Sequence, residues 1–351
     1  MKNLEYKRII ITKKGGIENL KLIKEPKENL YKNLNKREAI IKILASGVAY
    51  ADIMMREGTY PGHPPYPFTP GYDIIGIIEE ITENQENLKK GDIISALTVT
   101  GGYSEYIKLP IEKLIPIPNV DPSNQIELAK LVSLVLNYIT AYQMLFRIKK
   151  LNQEDHILIH GGGGGVGTAL IQLTHHYGFK NVFTTISRRK SEIISKYNAK
   201  PIYYQEESFV DFCKKNHIKM DLILDPIGGW HFLESYKILS SKGTLVLYGT
   251  YNFLKEGTIK SMLGVPLTYL RNLFDFDKKV IFYLIGQKRF GGYESIKNDY
   301  KILLNLYQNK HIDPIIDTIY PFTEENVQFA HHRLQNGEVL GKIVINFNTT
   351  K

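Results

Sequence analysis

Two different patterns of hydrophobic residues run along the chain. Up to about residue 120, short apolar runs are separated by glycine and proline, which is typical of strands in an irregular, mostly β domain. These runs are Arg8–Thr12, Ala39–Ala45, Ile74–Ile81, Asp92–Leu97 and Tyr103–Leu109. A longer apolar segment, Leu128–Phe146, then predicts a helix and marks the change to a second pattern.

Strand-like and helical segments alternate after about residue 150, and their spacing predicts a parallel, doubly wound sheet. The predicted strands are His156–His160, Asn181–Ile186, Asp221–Asp225 and Thr244–Tyr248, and the predicted helices are Val166–Tyr177, Lys190–Tyr197 and Trp230–Ser240. After about residue 290 come a helix, an extended piece (Ile312–Pro321), another helix and a terminal strand, Lys342–Phe347. Because this tail has no sheet of its own, we expect it to return to the first domain.

The fold class expected from these patterns is α/β, and a length of 351 residues suits two domains. Residues 1–124 and 290–351 are expected to form the mostly β domain. Residues 125–289 are expected to form the doubly wound domain.

Composition and charge narrow the possible functions. The formal net charge is +9, but the basic residues are scattered among acidic ones, so we expect no binding of nucleic acid. Cys213 is the single cysteine, which excludes an intrachain disulfide and a zinc site built from several cysteines. The first residues lack the apolar core of a signal peptide, and polar residues interrupt Leu128–Phe146. We therefore expect a buried helix, no transmembrane segment and a cytoplasmic protein.

The strongest motif is a glycine-rich turn that directly follows the predicted strand His156–His160. Its residues Gly162, Gly164, Gly165, Val166 and Gly167 fit the dinucleotide-binding fingerprint, in which glycines permit a tight turn, close approach to the pyrophosphate and close packing of helix on strand. The following helix would point its N-terminus at the anion. A glycine-rich turn without a ligand and the loop of a methyltransferase stay possible on this motif alone.

The end of the second predicted strand indicates which dinucleotide is bound. About 20 residues after the last glycine, an enzyme that uses NAD carries an acidic residue for the ribose 2′-hydroxyl. This chain has Ser187, Arg188, Arg189 and Lys190 there, and such donors favour the 2′-phosphate of NADPH. The alternative is that these residues form only the solvated first turn of the next helix.

Eight segments, in the right order, resemble the medium-chain dehydrogenase/reductase family, nearest to quinone oxidoreductases of the zeta-crystallin kind and to vesicle amine transport protein homologues. They are Gly47–Asp52, Arg56–Pro61, Pro70–Gly76, Lys90–Asp92, Gly101–Tyr106, Asn137–Tyr142, Asp225–Gly229 and Gly337–Ile345. The resemblance implies a GroES-like catalytic domain and a Rossmann domain. It also implies that Thr140 and Gly249 touch the nicotinamide and that Tyr204 lies near the adenosine phosphate.

The alcohol dehydrogenases of this family hold a catalytic zinc through a cysteine and a histidine. The matching positions here are Ala49 and Tyr72, which cannot ligate zinc in that way, and the cysteine-rich lobe of the structural zinc is absent from the sequence. We therefore expect no metal. Without a Lewis acid, a quinone or an α,β-unsaturated carbonyl is the better hydride acceptor, because conjugation spreads the developing charge.

Tyr60 matches the tyrosine that related enoyl reductases place at the active site, where it could donate to an enolate oxygen. A tyrosine in so proline-rich a loop can also serve only packing, so both roles stay open. The stretch Tyr251–Arg289 is expected to supply variable loops around the acceptor. A homodimer is expected through the apolar strand Lys278–Ile285.

Two function classes stay open at this point. The first is an NADPH-dependent quinone or enone reductase. The second is a nucleotide-binding redox sensor or adaptor with little catalytic activity.

Overall fold

The computed structural model describes residues 5–32, 34–82, 88–251, 258–273, 275 and 277–348. Within these residues the chain forms two compact units. The β-rich unit comprises Met1–Leu136 and Pro314–Lys351, and the parallel-sheet unit comprises Asn137–Asp313.

The β-rich unit contains two sheets. Its strands are β1 (Glu5–Ile11), β2 (Leu20–Pro26), β3 (Glu38–Val48), β4 (Asp73–Ile81), β5 (Ile93–Leu97), β6 (Tyr106–Pro110), β7 (Ile115–Pro116), β14 (Ile316–Pro321) and β15 (Lys342–Asn346). Its helices are α1 (Glu28–Tyr31), α2 (Tyr50–Arg56), α3 (Gln125–Ser133) and α10 (Glu324–Gln335). β1 pairs with β2, and the other strands form a seven-stranded sheet in the order β14-β15-β3-β4-β5-β7, with β6 also on β3.

Burial of apolar side chains explains why this sheet forms. Ile41, Ile43, Ile74 and Ile94 on its three central strands are at most 1% exposed and belong to one core. The C-terminal β15 pairs antiparallel with β3, so the tail returns to the first domain as expected.

The parallel-sheet unit is a doubly wound sheet. Its strands are β8 (His156–His160), β9 (Asn181–Ile186), β10 (Ala199–Tyr203), β11 (Met220–Asp225), β12 (Leu239–Leu247) and β13 (Lys279–Phe282). They pair in the order β10-β9-β8-β11-β12-β13. Its helices are α4 (Ile139–Phe146), α5 (Gly165–His176), α6 (Phe209–Lys215), α7 (Trp230–Lys237), α8 (Thr258–Asn272) and α9 (Gly292–Gln308). All neighbouring strands are parallel, so their carboxyl ends meet at one edge of the sheet.

The predicted helix Leu128–Phe146 is present as α3, a π-helical turn (Leu134–Tyr138) and α4. This helical run, Gln125–Phe146, is long and apolar enough to cross a membrane. However, 83% of its most apolar window is buried inside the protein, which is typical of a core helix. The expectation of a buried helix is confirmed.

Four details differ from the expectations. Residues 125–136 group with the β-rich unit, since α3 packs on β3, β4 and β14, and residues 290–313 group with the parallel-sheet unit, since α9 packs on α4.

The predicted helix Lys190–Tyr197 is a 3₁₀ helix, Arg188–Lys196. There the Ser191 and Ser195 hydroxyls bond the carbonyls three residues earlier, which competes with regular helical bonding.

The predicted helix Trp230–Ser240 ends at Lys237, because Leu239 already pairs with β11. The stretch Tyr251–Arg289, which was expected to supply loops, also contains the helix α8, with Pro266 inside it. Its strand β13 lies within the predicted strand Lys278–Ile285. Residues 252–257, 274 and 276 of this stretch lie outside the described residues.

Candidate functional site

The glycine-rich turn joins β8 to α5 at the carboxyl edge of the parallel sheet. A Cβ on Gly162 would stand 2.1 Å from Thr184 Oγ1, and one on Gly167 would stand 2.2 Å from the Gly161 carbonyl oxygen. Gly161 has φ +70°, in the left-handed region that favours glycine. The turn therefore brings helix and strand into backbone contact, and α5 begins at Gly165 with Gly164 as its N-cap. This cradle fits the pyrophosphate of a dinucleotide, which binds at such a helix N-terminus.

The predicted phosphate-binding side chains lie just beyond β9, but they point to different partners. The Arg188 guanidinium forms a bidentate ion pair with Glu206, with Nε–Oε1 and Nη2–Oε2 distances of 2.6 Å each. It also lies 4.1 Å from the centre of the Tyr203 ring. The stem of Lys190 instead covers the glycine-rich turn, since its Cδ is 2.7 Å from where a Cβ of Gly163 would be. Ser187 is the N-cap of the 3₁₀ helix and makes no capping bond through its side chain.

The sequence analysis did not single out Glu206. Its carboxylate lies three residues beyond β10, a strand that was also not predicted. One sequence signal could have identified Glu206: an acidic residue close to the end of the third strand of a doubly wound sheet.

The three remaining residues that were predicted to contact the cofactor differ in how deeply they are buried. Thr140, on α4, is 7% exposed, and its hydroxyl interacts with that of Tyr283. Gly249 follows β12, and a Cβ there would stand 2.7 Å from the Pro226 carbonyl oxygen, so this glycine permits close contact between neighbouring strand ends. The Tyr204 side chain is 60% exposed, and it is its neighbour Tyr203 that the Arg188 guanidinium covers.

A buried polar network lies beneath the glycine-rich turn, and the sequence analysis missed it. His160 Nδ1 is 3.1 Å from Thr185 Oγ1, which also accepts the Gly161 amide, and His160 Nε2 is 3.2 Å from Ser235 Oγ. Ser235 donates to Asp225 Oδ2, which is also 2.7 Å from His231 Nδ1. This network ties the glycine-rich turn on β8 to the end of β11 and to α7.

Electrostatics fix the charge states in this network. Burial and the neighbouring His231 lower the pKa of His160 to about 3, so its imidazole is neutral at physiological pH. Burial alone would raise the pKa of Asp225, but His231 and the Ser235 hydroxyl hold that pKa below its ordinary value. Among the described residues, His160, Asp225 and His231 offer three potential metal ligands within 4.8 Å of one another. Those ligand atoms are engaged in the hydrogen bonds given above.

The β-rich unit has a separate polar cluster around the two positions that match zinc ligands of alcohol dehydrogenases. Ala49 is the N-cap of α2 and carries no ligand atom. The Tyr72 hydroxyl lies 2.8 Å from the Tyr60 hydroxyl, and the two rings meet edge to face with centroids 6.3 Å apart. Tyr72 is only 3% exposed, whereas Tyr60 is half-buried. A pair of phenols thus occupies this place.

Asp52 on α2 holds both positions in place. Its Oδ2 accepts the Ala49 amide and its Oδ1 accepts the Gly71 amide, each at 2.9 Å. The Tyr103 hydroxyl lies 3.1 Å from Asp52 Oδ2 and 3.2 Å from His331 Nε2. Burial raises the pKa of Asp52 to about 7, although the two amide hydrogen bonds oppose this.

A second buried carboxylate, that of Asp73, lies next to Tyr72 in the sequence and forms an ion pair. Lys342 on β15 donates to Asp73 Oδ2 at 2.8 Å, and both side chains are at most 3% exposed. This ion pair links the C-terminal strand to Asp73, the residue that follows Tyr72. Removing either partner would leave a buried charge uncompensated, which typically costs about 3–5 kcal/mol.

Comparisons with known proteins agree with this architecture. Residues 35–119 match the alcohol dehydrogenase GroES-like domain, and residues 199–345 match the zinc-binding dehydrogenase family. The chain is 30% identical over 352 residues to the synaptic vesicle membrane protein VAT-1 homolog of Danio rerio, covering 97% of this chain and 70% of that protein. It is 28% identical over 250 residues to the quinone oxidoreductase of Homo sapiens, covering 70% and 72% of the two chains.

Solved structures share the fold. The Escherichia coli quinone oxidoreductase complexed with NADPH superposes with a TM-score of 0.82 at 22% identity, covering 97% of this chain and 100% of the other. The CurK enoyl reductase superposes with a TM-score of 0.79 at 20% identity, covering 98% and 99%. The β-rich unit is thus GroES-like and the parallel-sheet unit is Rossmann-like. The chain belongs to the medium-chain dehydrogenase/reductase family, together with the VAT-1 homologues and the quinone oxidoreductases.

Proposed function

We propose that this protein is an NADPH-dependent oxidoreductase that transfers a hydride to a quinone or an α,β-unsaturated carbonyl compound without zinc. The observation that carries the proposal is the pair of hydroxyls on Tyr60 and Tyr72, 2.8 Å apart, at a place where alcohol dehydrogenases hold a catalytic metal. A phenol can donate a proton or a hydrogen bond, but it does not polarise a simple ketone as zinc does.

The cofactor side of the proposal rests on the glycine-rich cradle. Its members Gly162, Gly164, Gly165, Val166 and Gly167 would hold the pyrophosphate. Ser187, Arg188 and Lys190 would face the 2′-phosphate, Tyr204 the adenosine phosphate, and Thr140 and Gly249 the nicotinamide. Bound NADPH supplies the hydride, and the chain's own residues orient the cofactor and provide the proton.

Tyr60 is the proposed catalytic acid. Its side chain is half-buried, so it can meet both a substrate and solvent. Asp52 is a positioning residue, since it binds the amides of Ala49 and of Gly71, the residue before Tyr72. The charge that develops on a conjugated acceptor is delocalised, so hydrogen bonding from a phenol can stabilise it without a metal.

The proposal extends to a homodimer and a cytoplasmic location. β13 is the edge strand of the six-stranded sheet, and its outer edge has no pairing strand among the described residues. An apolar edge of this kind is suited to pairing with a second copy. Cys213 is buried, and burial raises the pKa of its thiol to about 11, so this thiol is unreactive and has no redox role in the proposal.

Steady-state oxidation of NADPH in the presence of menadione, phenanthrenequinone or cyclohexenone tests the proposal. We expect turnover with at least one of these acceptors, and much less with NADH. Binding of NADPH without turnover of any acceptor would favour the nucleotide-binding sensor or adaptor. Binding of S-adenosylmethionine in place of NADPH would identify a methyltransferase.

A further inference from the structure

The Tyr72 hydroxyl lies on an almost wholly buried side chain and faces the hydroxyl of Tyr60. Tyr72 lies between the buried Gly71 and Asp73, and its ring is almost wholly buried. Packing alone would be satisfied by phenylalanine, yet its hydroxyl lies 2.8 Å from that of Tyr60. One hydroxyl must donate to the other at that distance.

We infer that Tyr72 is the second member of a proton-donating pair with Tyr60, and that the pair adapts the enzyme to α,β-unsaturated carbonyl compounds rather than to quinones. This inference rests on the proposed function and narrows its acceptor class. Tyr60 touches the reacting atoms, and Tyr72 acts through Tyr60 as a positioning residue.

The direction of the hydrogen bond follows from the chemistry. Tyr60 can offer its proton to an acceptor only when that proton points away from Tyr72. Tyr72 must then donate to the Tyr60 oxygen. After Tyr60 loses its proton, the same bond becomes a charge-assisted bond to a tyrosinate, which is stronger than a bond between neutral hydroxyls. Tyr72 therefore stabilises the product of proton transfer more than it stabilises the starting state.

The surroundings of Tyr60 make its hydroxyl a weak acid, so the tyrosinate needs the stabilising hydrogen bond from Tyr72. Burial raises the pKa of the Tyr60 hydroxyl, and the nearby Asp52 carboxyl raises it further, while the hydrogen bond from Tyr72 lowers it. A buried phenol beside an acidic group is a poor proton donor unless its anion is stabilised.

The reaction balances as follows for an enone. Hydride addition to the β-carbon breaks the C=C π bond, forms a C–H bond and leaves the electron pair on the enolate. Tyr60 releases its proton to the α-carbon, directly or by way of the enolate oxygen, and its oxygen keeps the electron pair of the O–H bond. Solvent then returns one proton to Tyr60. The sum is enone, NADPH and one proton giving the saturated carbonyl compound and NADP⁺.

A quinone needs this pair far less. Hydride addition to a quinone gives an aromatic hydroquinone anion, which is stable enough to leave the site and take its proton from water. An enolate is a much stronger base, so reduction of an enone depends on a proton donor inside the site. The cost of losing the Tyr72 hydroxyl should therefore fall on enones.

The test compares Tyr72→Phe with Tyr66→Phe on cyclohexenone and menadione. Tyr66 is a matched control because its hydroxyl donates to the Met55 carbonyl on α2 and not to Tyr60. For Tyr72→Phe we expect kcat on cyclohexenone to fall about 10- to 150-fold, the range for a hydrogen bond to a charged partner. KM for cyclohexenone and kcat for menadione should each change less than about threefold. Tyr66→Phe should behave as wild type.

Rescue distinguishes an effect on acidity from an effect on packing. Placing 3-fluorotyrosine, a more acidic phenol, at position 60 of Tyr72→Phe should restore much of the lost kcat on cyclohexenone. Equal losses on both acceptors, no loss at all or no rescue would each overturn the inference. Wild-type reduction of menadione without any reduction of enones would also overturn it and leave the proposed function intact. The absence of turnover with every acceptor would instead overturn the proposed function, and this inference with it.

Discussion

The guanidinium of Arg188 is held by the carboxylate of Glu206 in a bidentate pair with both distances at 2.6 Å. Both side chains are exposed, at 63% and 48%. Exposed pairs of this kind contribute only about 0–1 kcal/mol, so a phosphate can exchange with the carboxylate at little cost. Glu206 would therefore compete with the 2′-phosphate that we propose for Arg188.

Removing this competitor should strengthen the binding of NADPH. Glu206→Gln keeps the side-chain shape but removes both the ion pair and the repulsion of a phosphate. We expect the Kd for NADPH to fall about three- to tenfold, the equivalent of roughly 1 kcal/mol, and the Kd for NADH to stay within about twofold. Fluorescence titration with both cofactors measures this. A weaker affinity for NADPH would show that Glu206 supports the site instead of competing in it.

A second experiment removes the positive side chains that are proposed to bind the 2′-phosphate. Arg188→Ala combined with Lys190→Ala should weaken NADPH about 30- to 150-fold, from a loss of about 2–3 kcal/mol, and should weaken NADH less than about threefold. Lys214→Ala, an exposed lysine on α6, is the control for a general loss of positive charge. Dissociation constants at two salt concentrations separate direct contact from long-range attraction. Equal losses for the two cofactors would refute the phosphate site.

Asp52 should make the stability of the protein depend on pH. Burial raises its pKa from the ordinary value of 3.8 to about 7, so the folded protein binds this proton more tightly than the unfolded chain. The resulting stabilisation is complete below about pH 4 and is lost as the pH rises through about 7. Across that window, the free energy of unfolding of wild type should fall by up to about 1.4 kcal/mol per pH unit relative to Asp52→Asn.

Urea unfolding of both proteins at several pH values measures this difference. Asp92→Asn, in an exposed turn of the same unit, controls for the general loss of a carboxylate. A difference between wild type and Asp52→Asn that stays constant from about pH 4 to about pH 7 would show that Asp52 titrates normally.

The edge strand β13 should mediate dimerisation. Its residue Ile281 pairs with Val246 on one side, and Leu284 just beyond the strand is 38% exposed. Ile281→Lys should give a monomer where wild type is a dimer, because a charge on a sheet edge blocks pairing with another strand. Lys279→Ala on the same strand should leave the dimer intact. Light scattering that finds a monomeric wild type at micromolar concentration would rule out this interface.

Strands and turns that depend on residues close together in the sequence were predicted from local patterns. β8, β9 and the glycine-rich turn lie where the spacing placed them, since apolar runs and glycines report directly on buried strands and tight turns. β10 was missed because Lys200 and Pro201 make it read as loop. The 3₁₀ helix Arg188–Lys196 was predicted as an α-helix. The sequence did not show that the Ser191 and Ser195 hydroxyls would bond backbone carbonyls and so compete with α-helical hydrogen bonds.

Contacts between distant residues could not be predicted in the same way. Tyr60 was predicted as a catalytic residue because it matches a tyrosine of related enoyl reductases. Its partner Tyr72 was identified only as the residue that replaces a zinc ligand, and the contact between the two was not predicted. The network of His160, Asp225 and His231 joins residues from two strands and a helix. Partners of this kind are set by tertiary packing, and no spacing along the chain reports on them.

Hydride transfer without a metal is the central claim, and isotope transfer tests it most directly. The protein is dialysed against EDTA, its zinc content is measured, and it is then given NADPH deuterated at C4 together with cyclohexenone or menadione. The account predicts one deuterium at the β-carbon of cyclohexanone from cyclohexenone, and deuterated NADPH consumed in step with hydroquinone formed from menadione, in enzyme that holds no stoichiometric zinc. Failure to transfer hydride to either acceptor, or transfer that returns only when zinc is added, would contradict it.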